Sequence, residues 1–340
     1  MSNFRYRDKG NLLDYDLDVE LFKKFDLDVY DVIPVRDVFT LKTDKGDKIL
    51  KKINYSIEEL NFIYDAIEYI KRNYSNVIGF YKTLDGSIYT LWNNNIYCIM
   101  DLIDGRECEI NNPVDIEIAA RGIGELHKAS EGFKGEFPYR NMSGKLINNI
   151  KRKKEEMGFL KKMVSLYENK CKFDEIFLEN VDFYISKVDK CIKLLEKSQY
   201  YKLCSEEDKV VLCHHDLAHH NILIKDNEAY FIDFDSAIMD LKVHDLCNFI
   251  SKTIKNFAFD VRRAKLIIDN YCISNSLDER EFDVLYSMLN FPEDFYTISK
   301  DYYSRRKRWD ENTFLYRFKK KVSYKDDMEA FLEDFREMLK

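Results

Sequence analysis

The sequence predicts an α+β fold in two parts, an N-terminal antiparallel sheet followed by a larger, mainly helical part. Strand-like segments fill 29–53 and 77–103, helical periodicity then dominates, and strand-like character returns only at 210–235. With 340 residues, 45% of them hydrophobic, the chain can bury the core of two domains or of one two-lobed unit.

The first part is predicted to hold strands and one helix. In 29–53, Val, Ile, Phe and Thr alternate with polar residues, and Asp44-Lys45-Gly46 is a hairpin-turn signal. Ser56 predicts a helix start, because Glu59 three positions later completes a capping box. Two further turn signals divide 77–103 into strands.

We place the boundary between the two parts near Gly105, which gives an N-terminal unit at 1–105 and a C-terminal unit at 106–340. Only 11 glycines and 4 prolines are present, which leaves little room for long flexible linkers. Helical patterns then lie at 114–130, roughly 141–200, 243–256, 258–274, 278–290, 293–309 and 324–340.

Composition excludes several classes of protein. The net charge of −7 argues against general binding to nucleic acid or anionic membranes, which requires a positive surface. The sequence contains no run of 18 apolar residues, so we predict no transmembrane helix. Residues 1–16 lack the apolar core of a signal peptide. The eight cysteines form no CxxC pair, so we expect a cytosolic protein with reduced thiols.

Polar chemistry is concentrated in VVLCHHDLAHHNILIKDNEAYFIDFDSA, residues 210–237, beside strand-like runs. Val210–Cys213 is predicted to be a short buried strand that ends at His214. A turn at 225–228 makes the next two runs a hairpin in which Ile224 pairs with Ala229. Counting back along this hairpin places Asn221 beside Ile232–Asp233.

One site therefore receives Asp216, Asn221 and Asp233, because Asp216 lies on the loop that leads into Asn221. Their hard oxygen atoms suit Mg²⁺, which often shares its ligands with phosphates. An aspartate without a metal role can orient a hydroxyl group and take its proton. Together these groups are typical of kinase-type phosphoryl transfer.

The motifs carry a resemblance to a known superfamily. His214-x-Asp216-x4-Asn221, followed by Ile-Asp-Phe-Asp at 232–235, resembles the catalytic and metal-binding motifs of aminoglycoside phosphotransferase-like kinases. CHHDLAHHNIL together with YYSRRKRW, residues 302–309, resembles more narrowly the CotS family of spore-coat proteins from endospore-forming bacteria. The resemblance implies a bilobal protein-kinase-like fold, the cofactors ATP and Mg²⁺, a hydroxyl acceptor and a place in the spore coat.

The resemblance also implies roles for single residues. Asp216 corresponds to the catalytic base, and His214 to the residue that braces the catalytic loop. Asn221 and Asp233 correspond to the Mg²⁺ ligands. Two further acids complete the expected site at 210–245: Asp235, a second metal neighbour or a helix-start cap, and Asp245, a support for the catalytic loop.

A kinase also needs a strand lysine for the nucleotide phosphates. Lys51 and Lys52 point to opposite faces of their strand, and we choose Lys51 because it shares a face with the apolar Ile49 and Ile53. The following helix should supply its carboxylate partner. That partner is Glu59, with Glu58 as the alternative if Glu59 closes the capping box instead.

Two further segments face the expected nucleotide. The resemblance implies that Met100, Leu102 and Ile103 meet the adenine at the boundary between lobes, although core packing also explains their apolar character. The turn at 33–37 contains no glycine, so its backbone amides cannot approach phosphates freely. Arg36 in that turn offers a guanidinium as a substitute.

The densest basic cluster lies at 302–309, where aromatic residues flank four cations. If 293–309 is one helix, Arg305 and Trp309 are i, i+4 neighbours that recognise an acceptor. The alternatives are a docking patch for a coat protein and an ordinary solvated helix face.

Three other interpretations of the site stay open. His215, His219 and His220, with Cys213 or Cys247, have the ligand types of a zinc site. The polar hairpin end can also lack chemistry altogether. Finally, the missing glycines and the coat resemblance are compatible with a non-catalytic, kinase-shaped structural component of the spore coat.

Overall fold

The computed structural model describes residues 17–255 and 257–340. The segment that lacks a signal core, residues 1–16, lies outside the described residues, as does the last residue of the helix predicted at 243–256. The strands are β1 Val29–Val35, β2 Val38–Thr43, β3 Lys48–Ile53, β4 Phe80–Tyr81, β5 Thr90–Trp92, β6 Asn95–Asp101, β7 Arg106–Glu107, β8 Val210–Cys213, β9 Ile222–Lys225, β10 Glu228–Phe231 and β11 Ile238–Leu241. The helices are α1 Val19–Lys23, α2 Ile57–Ile70, α3 Pro113–Ser130, α4 Leu146–Ser165, α5 Lys172–Lys197, α6 Tyr200–Leu203, α7 Val243–Ile254, α8 Val261–Ser274, α9 Glu279–Leu289, α10 Glu293–Tyr303, α11 Glu311–Ser323 and α12 Lys325–Met338.

The N-terminal sheet is antiparallel, with the strand order β1-β2-β3-β6-β4 and with β5 also paired to β6. The turn between β2 and β3 contains Gly46 at φ +86°, as the hairpin signal predicted. Helix α2 begins after Ser56, and the predicted capping box with Glu59 is formed in both directions. These local signals therefore fix both the strand pairing and the helix start.

The two faces of this sheet bury different cores. Leu50 and Ile99 pack with α1 in one apolar cluster, while Ile53 and Cys98 pack with α2 and with the C-terminal part in the other. Because side chains alternate along β3, Lys51 lies on the same face as Ile53. That face points toward the C-terminal part of the chain.

The C-terminal part is mainly helical and carries two small antiparallel ladders. One ladder has the order β10-β9-β7, and the other pairs β8 with β11. Helix α3 passes close to the hairpin at Gly122, where an added Cβ would lie 2.6 Å from the Cβ of Ala229. A residue without a side chain is therefore required at this crossing.

The predicted α+β, kinase-like fold class is confirmed. The helix predicted at 293–309 is wrong in its extent, because α10 ends at Tyr303. Arg305 adopts φ 51°, the Arg305 amide donates to the Tyr302 carbonyl, and the Arg306 amide donates to that of Asp301. These two hydrogen bonds form a Schellman motif, which stops the helix.

Two more elements differ from the prediction. Helix α11 occupies a segment for which we predicted no helix, and α12 follows it directly. The long helical region predicted at 141–200 is divided into α4, α5 and α6. None of the helices within the described residues is long and apolar enough to cross a bilayer.

Candidate active site

Buried Asp245 shapes the loop that follows β8. Its carboxylate accepts the backbone N–H groups of His214 at 2.6 Å and His215 at 2.8 Å, and Nε2 of His127 lies 3.1 Å away. Burial alone raises the pKa of Asp245, but His127 and these amides outweigh it and lower the pKa to about 2. An ionised carboxylate therefore holds the loop, including His215 at φ 66°.

His214 joins this loop to the hairpin. It is fully buried, its Nε2 lies 2.8 Å from the carbonyl oxygen of Ile232, and its Nδ1 lies 3.4 Å from the backbone N–H of Asp216. A histidine held on both sides fixes the distance between the loop and the end of β10. The role of His214 in bracing a catalytic loop stays a prediction.

Asp216 and Asn221 lie together at the mouth of the loop. The Asn221 amide donates to the backbone carbonyl of Asp216 at 2.9 Å and to its carboxylate at 3.4 Å. Lys252 of α7 donates to the same carboxylate at 2.7 Å. Partial burial raises the pKa of Asp216, but the hydrogen bond and the charge of Lys252 outweigh it, so the pKa lies below its ordinary value.

The hairpin register predicted from the sequence is confirmed. Ile224 pairs with Ala229, and the amide of Ile232 donates to the Asn221 carbonyl at 3.1 Å. The strands extend one pair further than expected, to Lys225 and Glu228, so two residues make the turn, both at positive φ. At the other end of the hairpin, Asp233 directly follows Ile232, the residue that Asn221 faces, and adopts φ 65°.

Lys51 reaches across from the N-terminal sheet to this turn. Its ammonium lies 2.5 Å from the Asp233 carboxylate and 2.7 Å from that of Asp235, and its side chain is 14% exposed. Burial lowers the pKa of Lys51, but Asp235 and Asp233 outweigh it and raise the pKa above its ordinary value. The ammonium of Lys51 therefore lies against Asp233, a predicted metal ligand, and Asp235, a possible metal neighbour.

Lys51 pairs with carboxylates other than the two that we expected on α2. Glu59 closes the capping box and contacts the guanidinium of Arg140 at 3.0 Å, so it does not form the expected pair with Lys51. Glu58, the alternative, is fully exposed at the first turn of the helix, where local hydrogen bonds lower its pKa. Asp233 and Asp235 take the place of both.

Arg140, which sequence reasoning missed, ties α2 to the turn at 233–237. Its guanidinium donates to the carbonyl oxygens of Asp235 at 2.5 Å and Ala237 at 3.1 Å while it contacts Glu59. Its side chain is 11% exposed. Tyr55 adds a second tie, because its hydroxyl donates to the Asp235 carboxylate at 3.0 Å. Asp235 is therefore held by three different residues.

The residues expected to contact the adenine lie at the end of β6, where the chain leaves the sheet. Met100 is buried in β6 opposite Ile49, while Leu102 and Ile103 are partly buried in the segment that follows. The amide of Leu102 donates to the Asp47 carbonyl at 3.4 Å, which fixes this exit to the sheet. Their contact with a base stays a prediction.

The glycine-free turn between β1 and β2 contacts the C-terminal part of the chain. Arg36 adopts φ 54° in a two-residue turn between β1 and β2, and its guanidinium contacts the Glu107 carboxylate of β7 at 2.7 Å. The turn is therefore fastened to a strand that pairs with the β9–β10 hairpin. The charge of Arg36 is also among the causes, after burial, that lower the pKa of His220.

The two predicted acceptor-side residues lie in the segment after α10. Arg305 is the left-handed residue of the helix stop, so the expected i, i+4 relation with Trp309 is wrong. Trp309 packs against Phe314, and the Arg317 guanidinium lies 4.1 Å from its ring centroid. Their contact with an acceptor stays a prediction.

The histidines of the zinc alternative are not gathered at one point. The ring of His215 contacts that of His244, and the ring of His219 contacts that of His220. Within 17–255 and 257–340, the one group of such side chains close enough to share a metal is His127, Cys213 and Asp245. All three are buried, and Asp245 already accepts several hydrogen bonds there.

Lys252, the second residue that we missed, had a signal in the sequence. It lies seven positions after Asp245 on α7, which places the two on the same helix face. Since Asp245 was expected to support the catalytic loop, Lys252 was due to face that loop as well. Arg140 lies in a 3₁₀ turn, Pro138–Arg140, and irregular segments carry no such periodicity.

A sheet lobe and a helical lobe that face each other across these side chains define the class of kinase-like small-molecule phosphotransferase folds. An aminoglycoside phosphotransferase from Alicyclobacillus acidocaldarius subsp. acidocaldarius DSM 446 matches with a TM-score of 0.81 at 16% identity, over 95% of this chain and 96% of that chain. A spectinomycin phosphotransferase, solved with ADP and spectinomycin, matches with a TM-score of 0.62 at 16% identity, over 88% of this chain and 92% of that chain.

Within that class, the chain belongs to the family described as spore coat putative kinase YutH, whose family model matches residues 18–335. It is 22% identical over 310 residues to spore coat protein S of Bacillus subtilis (strain 168), which covers 90% of this chain and 88% of that protein. The resemblance to a CotS-type protein of the aminoglycoside phosphotransferase-like superfamily is thereby confirmed.

Proposed function

We propose that this protein is an ATP- and Mg²⁺-dependent phosphotransferase that acts on a hydroxyl acceptor. The observation that carries the proposal is the position of Lys51, which contacts Asp233 across the cleft at 2.5 Å while Asn221 and Asp216 lie together at the end of the same hairpin. A lysine, two oxygen ligands and a carboxylate base are the parts that phosphoryl transfer requires.

The donor set fits Mg²⁺. The Asn221 amide nitrogen is turned toward Asp216, which leaves its carbonyl oxygen for a ligand, and Asp233 and Asp235 supply carboxylates. When bound, the ion would neutralise charge on the nucleotide phosphates. Lys51 would then be shared between these two carboxylates and the nucleotide phosphates.

Asp216 acts on the acceptor in this proposal. It orients the acceptor hydroxyl and accepts its proton as the acceptor oxygen bonds to the γ-phosphorus. The bond between that phosphorus and its bridging oxygen breaks, and ADP leaves with the electron pair. The lowered pKa of Asp216 keeps it ionised, as a carboxylate that orients the hydroxyl and accepts its proton must be.

The setting proposed for this activity is the cytoplasm, with assembly into the spore coat. The family and the relative support the coat, and the nucleotide has support from fold neighbours solved with ADP or with AMP-PNP and Ca²⁺. The partners would be a nucleotide and a hydroxyl-bearing small molecule or coat protein. The lobe boundary near Gly105 is part of this proposal.

A second candidate function is a kinase-shaped structural component of the coat without turnover. The observation that favours it is the β1–β2 turn, in which Arg36 is already bound by Glu107 and no glycine amides face the cleft. A protein of this kind would bind nucleotide at most and would not consume it.

Titration of the purified full chain with Mg·ATP, followed by its melting temperature, tests the first function. Saturating ligand stabilises a binding protein, by about 2.7 kcal/mol at a hundredfold excess over Kd. We expect stabilisation that Asp233→Asn abolishes and that Asp226→Asn, the same change at the exposed turn of the same hairpin, leaves intact. No stabilisation of the wild type, or an equal effect in Asp233→Asn, would overturn the proposal.

A further inference from the structure

Lys252 places a positive charge where the acceptor must bind. It extends from α7 to the Asp216 carboxylate at 2.7 Å, and its side chain is 39% exposed. An ammonium has three protons, and this contact uses one of them. Asn248, one helical turn earlier, donates to the His215 carbonyl at 3.4 Å, so this face of α7 is fastened along the catalytic loop.

Four carboxylates on the two sides of the cleft each contact a cation, and three cations serve them. Asp216 contacts Lys252, and both Asp233 and Asp235 contact Lys51. Glu107, beside the catalytic hairpin, contacts Arg36. A cationic amine that approached the acceptor hydroxyl's position beside Asp216 would face the repulsion of Lys252.

We infer that Lys252 makes the acceptor side of the cleft a site for a hydroxyl compound that carries an anionic group, a carboxylate or a phosphate, next to the reacting hydroxyl. The inference rests on the proposed function, because it needs Asp216 to face the acceptor. The second and third protons of Lys252 bind the anionic group while the first holds Asp216 in place. Amino alcohols that are cationic beside the hydroxyl are disfavoured.

The transferring phosphoryl group is a second anion that comes close to Asp216, so the test must separate it from the acceptor. A lysine that serves only the phosphoryl group speeds transfer to every acceptor, water included. A lysine that binds the acceptor changes which acceptor is preferred. The preference among acceptors of different charge therefore distinguishes a lysine that binds the acceptor from one that serves only the phosphoryl group.

Three small probes with one three-carbon skeleton and a secondary hydroxyl suit this purpose: lactate, 1,2-propanediol and 1-amino-2-propanol. A probe that enters the cleft either accelerates ADP formation as an acceptor or slows it by displacing water. The concentration that gives half of this change is measured at constant ionic strength. The same titration of protein saturated with Mg²⁺ and AMP-PNP, followed by melting temperature, measures binding without turnover.

We expect the half-effect concentration of lactate to be at least about tenfold lower than that of 1-amino-2-propanol, with the diol between them. Lys252→Gln should remove this difference. Lys255→Gln is the matched control at the C-terminal cap of the same helix, because Lys255 contacts Asp294 at 2.7 Å rather than Asp216. It should preserve the difference.

Equal concentrations for the three probes, including no effect of any, would overturn the inference, as would a preference for the amine. A Lys252→Gln variant that slows ADP formation but keeps the lactate preference would assign the lysine to the phosphoryl group instead and would also overturn it. If the wild type neither forms ADP nor is stabilised by Mg·ATP, the proposed function itself fails, and this inference fails with it.

Discussion

The segments 210–245 and 304–309 are both dense in charged and polar residues, yet they form opposite kinds of structure. In the first, His214, Asn221 and Asp245 are buried and hydrogen-bonded to the backbone of neighbouring elements. In the second, every residue from Ser304 to Trp309 is exposed, in a segment that begins where a helix stops. Local charge density therefore does not predict buried, hydrogen-bonded polar residues, whereas their position at the ends of buried strands does.

The difference has a physical cause. A polar group that is buried must be hydrogen-bonded, so each buried side chain in 210–245 constrains its neighbours. An exposed arginine satisfies its hydrogen bonds with water and constrains little. If this contrast is correct, substitutions should have large effects in the first segment and almost none in the second.

Asp245→Asn should give the largest loss of stability. The amide cannot accept from His214, His215 and His127 in the geometry of the carboxylate, so buried donors are left unpaired. Removing one partner of such a buried charged group costs about 3–5 kcal/mol. Urea unfolding followed by circular dichroism measures this loss, and a change below 1 kcal/mol would show that the loop does not depend on Asp245.

Arg140→Met should come next, because it releases the turn at 233–237 from α2. Hydrogen bonds to a charged group contribute about 1.5–3 kcal/mol, and Arg140 makes them to Glu59 and to two carbonyls. We expect a loss of about 2 kcal/mol and weaker stabilisation by Mg·ATP, both partly restored in Arg140→Lys. Arg262→Met, which removes the contact of a well-exposed arginine with Asp260, is the control and should change neither quantity.

Acid should weaken the same region through Asp245. Its pKa is lowered from 3.8 to about 2 in the folded chain, so it contributes stability above pH 4 that is lost as the pH falls toward 2. The contribution is about 2 kcal/mol. The difference in unfolding free energy between wild type and Asp245→Asn should shrink by this amount between pH 5 and pH 2; a difference that stays constant would contradict the low pKa.

Arg306→Gln should have the smallest effect. The side chain is exposed, and its backbone amide rather than its guanidinium closes the helix stop. We expect an unfolding midpoint that equals that of the wild type within error. A clear loss of stability would show that the basic segment is held as tightly as 210–245 and would remove the contrast.

The sequence predicted those parts of the molecule that depend on local patterns. Alternation and a turn gave the register of the hairpin, so Asn221 was correctly placed beside Ile232. Alternation in β3 likewise favoured Lys51 over Lys52, and the capping box of α2 followed from Ser56 and Glu59. In each case neighbouring residues determine the outcome.

The parts that escaped prediction depend on contacts between distant segments. Arg140 is 81 positions from Glu59 in the sequence and lies in an irregular segment, so no periodicity connects the two. The end of α10 depends on two backbone hydrogen bonds around Arg305, a residue type that does not announce a helix stop as glycine does. The position of Lys252, by contrast, was predictable, because it lies seven residues after Asp245 on the same helix.

The most direct test of the central claim is ADP formation from Mg·ATP by the wild type and by Asp216→Asn. Loss of a general base lowers rates by about a hundredfold or more. We predict that the wild type forms ADP, that Asp216→Asn does so at least about a hundredfold more slowly, and that Mg·ATP stabilises both proteins. Equal rates in the two proteins, or nucleotide binding by the wild type without any ADP, would contradict the account.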